Sequence, residues 1–381
     1  MRKKFIYICC FLSILDVLFS GCNDTFLRDD SDDNTPIEVE AVIDPQFTIS
    51  SRGVKLSSTN LSSFGVWGFF NNVARVRDVS FTKTDGAWRG SRTITWATGG
   101  MNFYGFSPSF SISSGNTNST MLQNPKYVEY ESPIDVDTQV DIMYASVYGL
   151  KKTDNNGKVK FSFRPAMHYI GFTGKNTIGT DYKVIIKEII LHNIVSNGQF
   201  VYNATTANLG SWTIASGANA KYINMRKVLS TPIELTASAK QLLNSEYFII
   251  IPQTCTMWKT SKDSPIPIAT ADANHNYYIE TVAQIIKVEG SNEIYLLGNP
   301  DNSDPVHPQY ESVYFPAAAK TFRINAGSTL PINFNGGYNS DGLPYLENND
   351  RGDGVEVDVS EWMEFDFEID EWIPIYEDLI F

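Results

Sequence analysis

His168, His192, His275 and His307 are the side chains best suited to move protons or bind a transition metal, and their spacing serves neither purpose. They lie far apart, with no His-Glu-x-x-His pair and no cysteines at zinc-ligand spacing. His168, followed by Tyr169 and Ile170, reads as a hydrogen-bonded strand residue. Cys255, between Thr254 and Thr256, has no activating base near it in sequence and reads as an inert buried thiol. No Gly-x-Ser-x-Gly elbow, Walker loop or dinucleotide fingerprint occurs, which removes the common nucleophiles and phosphate cradles. Asp135, Asp137 and Asp141, or the loop from Asn348 to Gly354, could gather oxygens around calcium, but neither has the closing bidentate glutamate. Within that loop Arg351-Gly352-Asp353 spells the tripeptide read by integrins, and it reads as a polar turn before Val355. Carboxylates are plentiful, but a glycosidase pair is defined by separation in space rather than in sequence. No catalytic residue, metal site or cofactor emerges. The chain is expected to work through surfaces and not as an enzyme.

The elements that would present such surfaces follow a leader. Arg2, Lys3 and Lys4 precede an apolar run from Phe5 to Phe19 that ends at Ser20-Gly21-Cys22. The run is too short to span a bilayer, which takes about 20 apolar residues, and suits a secretory signal over residues 1–21. Leu18-Phe19-Ser20-Gly21-Cys22 resembles the bacterial lipobox, with Phe19 in place of the usual leucine. The resemblance implies acylation of Cys22 and a lipid anchor, and two or more acyl chains hold a protein on a membrane durably. Residues 22–36, with Asp24, Asp29, Asp30, Asp32 and Asp33, read as an acidic solvated tether. Acidic residues behind a lipidated cysteine resemble the surface-export signal of lipoproteins in gut- and mouth-type Gram-negative anaerobes. An outer-membrane lipoprotein exposed on the cell surface is therefore expected.

The chain has 381 residues, 13% of them aromatic and 19% charged, enough for two domains with sizeable cores. Loss of Arg2, Lys3, Lys4 and Asp16 with the leader takes the formal charge from -13 to -15, which argues against nucleic-acid binding. Cys9 and Cys10 leave with the leader, so Cys255 has no partner for an internal disulfide. From Pro36 onward, short runs of Val, Ile, Phe and Tyr alternate with Gly, Asn, Ser and Asp clusters, the pattern of an all-β protein. Strands are expected over 37–43, 64–70, 101–106, 159–163, 168–173, 182–191, 247–251, 277–282, 312–315 and 329–334. Turns are expected at Thr84-Asp85-Gly86, Asp154 to Gly157, Ser196-Asn197-Gly198 and Asn335-Gly336-Gly337. Only 237–244 reads as a short helix, with Thr236 as its cap. A polar glycine break over 174–179 suggests two β-sandwiches, 37–175 and 176–362.

An ordered set of motifs carries a family resemblance. Phe47-Thr48-Ile49-Ser50-Ser51-Arg52-Gly53 precedes Phe64-Gly65-Val66-Trp67-Gly68-Phe69-Phe70. Trp88, Trp96 and Met101 to Pro108 come next, then Asp141 to Ala145 and Phe161 to His168. Ile189 to Asn193, Gly198 to Phe200, Ile251-Pro252-Gln253-Thr254 and Tyr314-Phe315-Pro316 complete the series. Over roughly residues 40–362 this resembles the fimbrillin-like lipoproteins of Bacteroides-type anaerobes. The resemblance implies two tandem transthyretin-like β-sandwich domains with Greek-key-type connections. It also implies that an arginine-specific protease removes the first strand, whose groove a strand of the next subunit then fills. By position Arg52 is the better candidate for processing and Arg28 the second; Arg52 also fits a plain turn.

Val355 to Val359 alternates like a closing strand, and an extension over 363–381 follows. There Phe365, Phe367 and Ile369 alternate with Asp366, Glu368 and Asp370, giving one apolar and one acidic face, with Trp372 a further anchor. This strand either packs on its own domain or is donated to a neighbour. From Glu347 onward thirteen carboxylates face only Arg351, so a basic groove, or calcium, would match it best. The partners expected are the membrane, through the lipid, and other fimbrial subunits or a second copy, with a host or glycan ligand at a tip. The rival reading is a monomeric outer-membrane glycan-binding lipoprotein of a nutrient-uptake complex, with aromatic rings stacked on sugars.

Overall fold

Alternating apolar residues pair into sheets throughout the computed structural model, which describes residues 32–44, 61–109, 121–238, 240–242, 247–300, 308–316, 320–321, 327–334 and 337–345. A seven-stranded sheet runs in the order Glu38–Ile43, Lys158–Pro165, Met143–Leu150, Met101–Ser107, Ser63–Phe70, Val73–Thr84 and Ala87–Gly90. Two tight turns set part of this order. Asn71 and Asn72 at φ 47° and 62°, and Asp85 and Gly86 at φ 52° and 80°, supply the left-handed pairs that two-residue hairpins need. Every pairing in the sheet is antiparallel except the first, where Glu38–Ile43 runs parallel to Lys158–Pro165.

Both faces of this sheet are covered. One face packs Phe64, Val66, Phe81, Trp96, Phe103, Phe161 and Phe163 into a common core. Phe64 lies at its centre, with ring centroids 4.7 Å from Trp88 and 5.0 Å from Phe163. The other face, with Trp67, Phe69, Tyr104 and Phe106, meets the three-stranded sheet of Tyr127–Glu131, Asn197–Tyr202 and Gly210–Ile214. Burial on both sides explains why Ser63–Phe70 reads as a continuous apolar run rather than an alternation. Each fully buried large apolar side chain contributes roughly 1.5–3 kcal/mol. Gly210 is required by that packing, since a Cβ there would come within 2.3 Å of the Phe200 ring.

A second core lies between two further sheets. Tyr222–Leu235, Tyr182–Val195 and Tyr278–Glu289 form one, with Asn292–Leu297 and Glu311–Pro316 paired to Tyr278–Glu289. The other is built on His168–Asn176, which pairs with Lys240–Gln241 and Phe248–Ile250 and, in parallel, with Gly327–Phe334. Between them sit Ile170, Phe172, Val184, Ile186, Leu191, Phe248, Ile279 and Ile285. The segment 174–179 is the end of His168–Asn176 and the loop after it, and the pairing of Asn197–Tyr202 with Tyr127–Glu131 ties together chain on both sides of it.

Three local expectations change. Residues 240–241, expected in a helix, form a strand, because backbone pairing to Thr173 and Gly174 outweighs a weak helical spacing. A helix forms instead at Ile268–Ala273. Of Ser196-Asn197-Gly198, expected as a turn, Asn197 and Gly198 open the strand Asn197–Tyr202, and Ser196 alone separates it from Tyr182–Val195. The end of the acidic tether, Asp32–Pro36, pairs with Thr95–Ala97 through backbone groups, which needs no apolar side chain.

Candidate strand-docking edge

In Lys158-Val159-Lys160-Phe161-Ser162-Phe163-Arg164 every second residue is apolar, and Val159, Phe161 and Phe163 are buried in the first core. Strand geometry then turns Lys158, Lys160, Ser162 and Arg164 to the opposite face. Glu38–Ile43 repeats the pattern with the opposite charge: Val39, Ala41 and Ile43 face the core, while Glu38 and Glu40 stand in register with Lys158 and Lys160. Lys158 Nζ donates to Glu40 Oε1 at 3.0 Å and lies 3.3 Å from Glu38 Oε2, and Lys160 Nζ lies 3.7 Å from Glu40 Oε2. Arg164 Nε donates to Asp44 Oδ2 at 2.9 Å, and the Asp44 backbone N–H donates to the Phe163 carbonyl at 2.9 Å. The hydrogen bond from Lys158 draws the Glu40 carboxyl below its ordinary range, and bonds to Glu40 and Glu38 hold the Lys158 ammonium above its own.

The lysine pairs are solvated and individually weak. The arginine pair is different: Asp44 and Arg164 are largely shielded from water. Arg164 also donates through Nη1 to the Asn208 carbonyl at 3.1 Å. Asn208, left-handed at φ 55°, exchanges two 2.8 Å hydrogen bonds with Ser146. The end of the parallel strand is thereby tied to the loop that precedes Gly210–Ile214.

On its other side Glu38–Ile43 faces the far edge of the same sheet without joining it. Trp88 Nε1 donates to the Ala41 carbonyl at 3.3 Å, and the remaining gap is an open groove of about 680 Å³. Val39, Phe81, Trp88 and Ile94 make its apolar wall, and Arg89, Arg92 and Lys158 stand on its rims.

The residues singled out in the sequence fall elsewhere. Cys22, Arg28, Arg52, Phe365, Phe367, Ile369 and Trp372 lie outside the described residues. Arg52 belongs to the chain between Glu38–Ile43 and Ser63–Phe70. Asp135, Asp137 and Asp141 do not converge: Asp135 caps a 3-10 turn, Asp137 pairs with Lys227, and Asp141 accepts from Tyr169. His192 is buried against Glu280 at 2.6 Å, and the Ser312 hydroxyl donates to that same carboxylate. This order leaves the serine without the imidazole contact that would activate it. Burial pushes the Cys255 thiol up to about 12, so it stays protonated at neutral pH. Trp67, Trp96 and Trp258 are fully buried and offer no face to a sugar ring. Lys158, Lys160, Arg164, Glu38, Glu40 and Asp44 are absent from the sequence-based candidates. Their signal is a pair of alternating segments of opposite sign, legible only once their partnership is known.

The fimbrillin-like family profile matches residues 51–329. The chain belongs to the fimbrillin-like family. Among solved structures, this fimbrillin-like chain is similar to a fimbrial protein from Bacteroides vulgatus, at 12% identity and a TM-score of 0.45, covering 79% of this chain and 96% of that one. It is also similar to a candidate cell adhesion protein from Bacteroides uniformis, at 14% identity and a TM-score of 0.43, covering 80% and 95% of the two chains. A search of curated proteins returns no match.

Proposed function

We propose that this fimbrillin-like chain is a non-enzymatic, surface-exposed component of fimbriae, delivered as a lipoprotein acylated at Cys22, that assembles by strand addition once its N-terminal segment, and the anchor with it, has been cut away. Lys158–Pro165 is the acceptor edge, residues 32–44 are its resident occupant, and the extension carrying Phe365, Phe367, Ile369 and Trp372 is the donor. One observation carries the reading: among the described residues Glu38–Ile43 is an edge strand that pairs with a single neighbour, in parallel, and Arg52 lies between it and the next described strand. A strand held in that way can be exchanged, because its replacement recovers the same backbone hydrogen bonds. Digestion with an arginine-specific protease tests the proposal. The expected result is one cut at Arg52, with the fragment retained until mild denaturant releases it, and filaments visible by electron microscopy afterwards. Scattered cleavage, or a cut chain that unfolds, would contradict it.

A further inference from the structure

The spacing of charges along the docked strand is itself a code. In Glu38-Val39-Glu40-Ala41-Val42-Ile43-Asp44 acids occupy the first, third and seventh places, and apolar residues the second, fourth and sixth. Those acids meet Lys158, Lys160 and Arg164, which have the same spacing on the acceptor strand. Outside this segment the arrangement occurs once in the sequence, at Glu364-Phe365-Asp366-Phe367-Glu368-Ile369-Asp370.

We infer that residues 364–370 of a second copy replace residues 38–44 on Lys158–Pro165, in parallel and in the same register, and that the Lys158, Lys160 and Arg164 ladder selects them by charge. The inference rests on the strand-addition reading and adds its partner, orientation and register. Glu364 takes the place of Glu38, Asp366 that of Glu40, and Asp370 that of Asp44. Glu368 falls at Val42, a side chain that is 53% exposed, where a charge is well solvated. Phe365 and Phe367 take the positions of Val39 and Ala41, both of which pack on the first core. The groove of about 680 Å³ beside them, walled by Phe81, Trp88 and Ile94, gives the larger rings room. The incoming strand thus keeps the charge pattern and buries more apolar surface than the one it displaces. Arg89 and Arg92 on the far rim add to the attraction in a protein whose net charge is -13.

The test uses labelled peptides on chain cut at Arg52 and freed of its N-terminal fragment. A peptide of residues 362–372 should bind about tenfold more tightly than its counterpart with Glu364→Gln, Asp366→Asn and Asp370→Asn, and the advantage should shrink as salt rises. Lys158→Glu with Lys160→Glu should invert the preference towards a peptide carrying Glu364→Lys and Asp366→Lys. Equal binding of the acidic and neutral peptides would overturn charge selection and leave strand addition standing. Binding of neither peptide to chain that has released its fragment would count against strand addition itself. A cut chain that stays monomeric and refuses peptide because its own C-terminus fills the groove would overturn the second copy as occupant.

Discussion

Among the described residues two strands join a sheet in parallel, and they are held by different means. Glu38–Ile43 lies on Lys158–Pro165 over six paired positions, and Gly327–Phe334 lies on His168–Asn176 over eight. The two acceptor strands are consecutive in the chain, separated by Ala166 and Met167. The first pairing carries matched charges along its outer face and borders an open groove. In the second, the added strand reads Gly-Ser-Thr-Leu-Pro-Ile-Asn-Phe without a single charge, and its acceptor contributes only Lys175 within the paired positions. Charge gives register and selectivity more than strength, and the second strand, with two more paired positions, relies on backbone pairing without it. Under the strand-addition proposal, the contrast favours the N-terminal edge as the one exchanged.

Deletion breaks that comparison most forcefully. Removing 327–334 should abolish the cooperative unfolding transition of the second core, read by thermal denaturation, because His168–Asn176 then loses one whole side of its hydrogen bonding. Removing 32–44 should leave the chain folded. Hydrogen exchange should then rise at the amides of Lys158–Pro165 and stay slow at those of Tyr182–Val195, and loss of protection at both would erase the distinction.

A smaller effect is expected from Asp44→Asn, which discards the charge paired with Arg164 in a shielded setting. It should cost about 1–3 kcal/mol by denaturant titration, whereas Lys175→Gln on the other acceptor should change little. The smallest effect is that of pH. The Glu40 carboxyl titrates below its ordinary 4.5, so its contribution is complete above that value and fades as pH falls through the depressed one. The Lys158 ammonium titrates above its ordinary 10.5, so its contribution is present below that value and is lost as pH climbs through the raised one. Release of the cut N-terminal fragment should therefore quicken at either extreme, and release at a constant rate across pH would remove charge from the account.

Much of the fold was legible from alternation alone, and the exceptions have physical causes. The strand at 37–43 could be read because one of its faces is buried and the other is wet. Tyr222–Leu235 was missed because, on the outer face, it carries Tyr222 and Val228 exposed, which blurs the period. The three-stranded sheet was missed because its partners come from distant parts of the chain, and pairing across 70 residues leaves no local mark. Gly198 signalled a turn to the sequence, yet it serves close approach within a sheet, where a Cβ would meet the Thr213 carbonyl at 3.0 Å. The docking edge was legible in halves. The acidic extension called for a basic groove, but Lys158, Lys160 and Arg164 took on meaning only when Glu38–Ile43 was seen lying beside them.

A cysteine trap tests the proposed exchange at this edge most directly. Val42 stands opposite Ser162, so a strand of residues 364–370 in the same register brings Glu368 opposite Ser162, with backbones about 4.8 Å apart, a spacing that a disulfide bridges. A chain carrying Ser162→Cys and Glu368→Cys, cut at Arg52 and oxidised, is predicted to give a ladder of disulfide-linked copies on a non-reducing gel. A chain carrying Ser162→Cys and Ile369→Cys should give none. Monomers from the first chain, or equal ladders from both, would contradict the account.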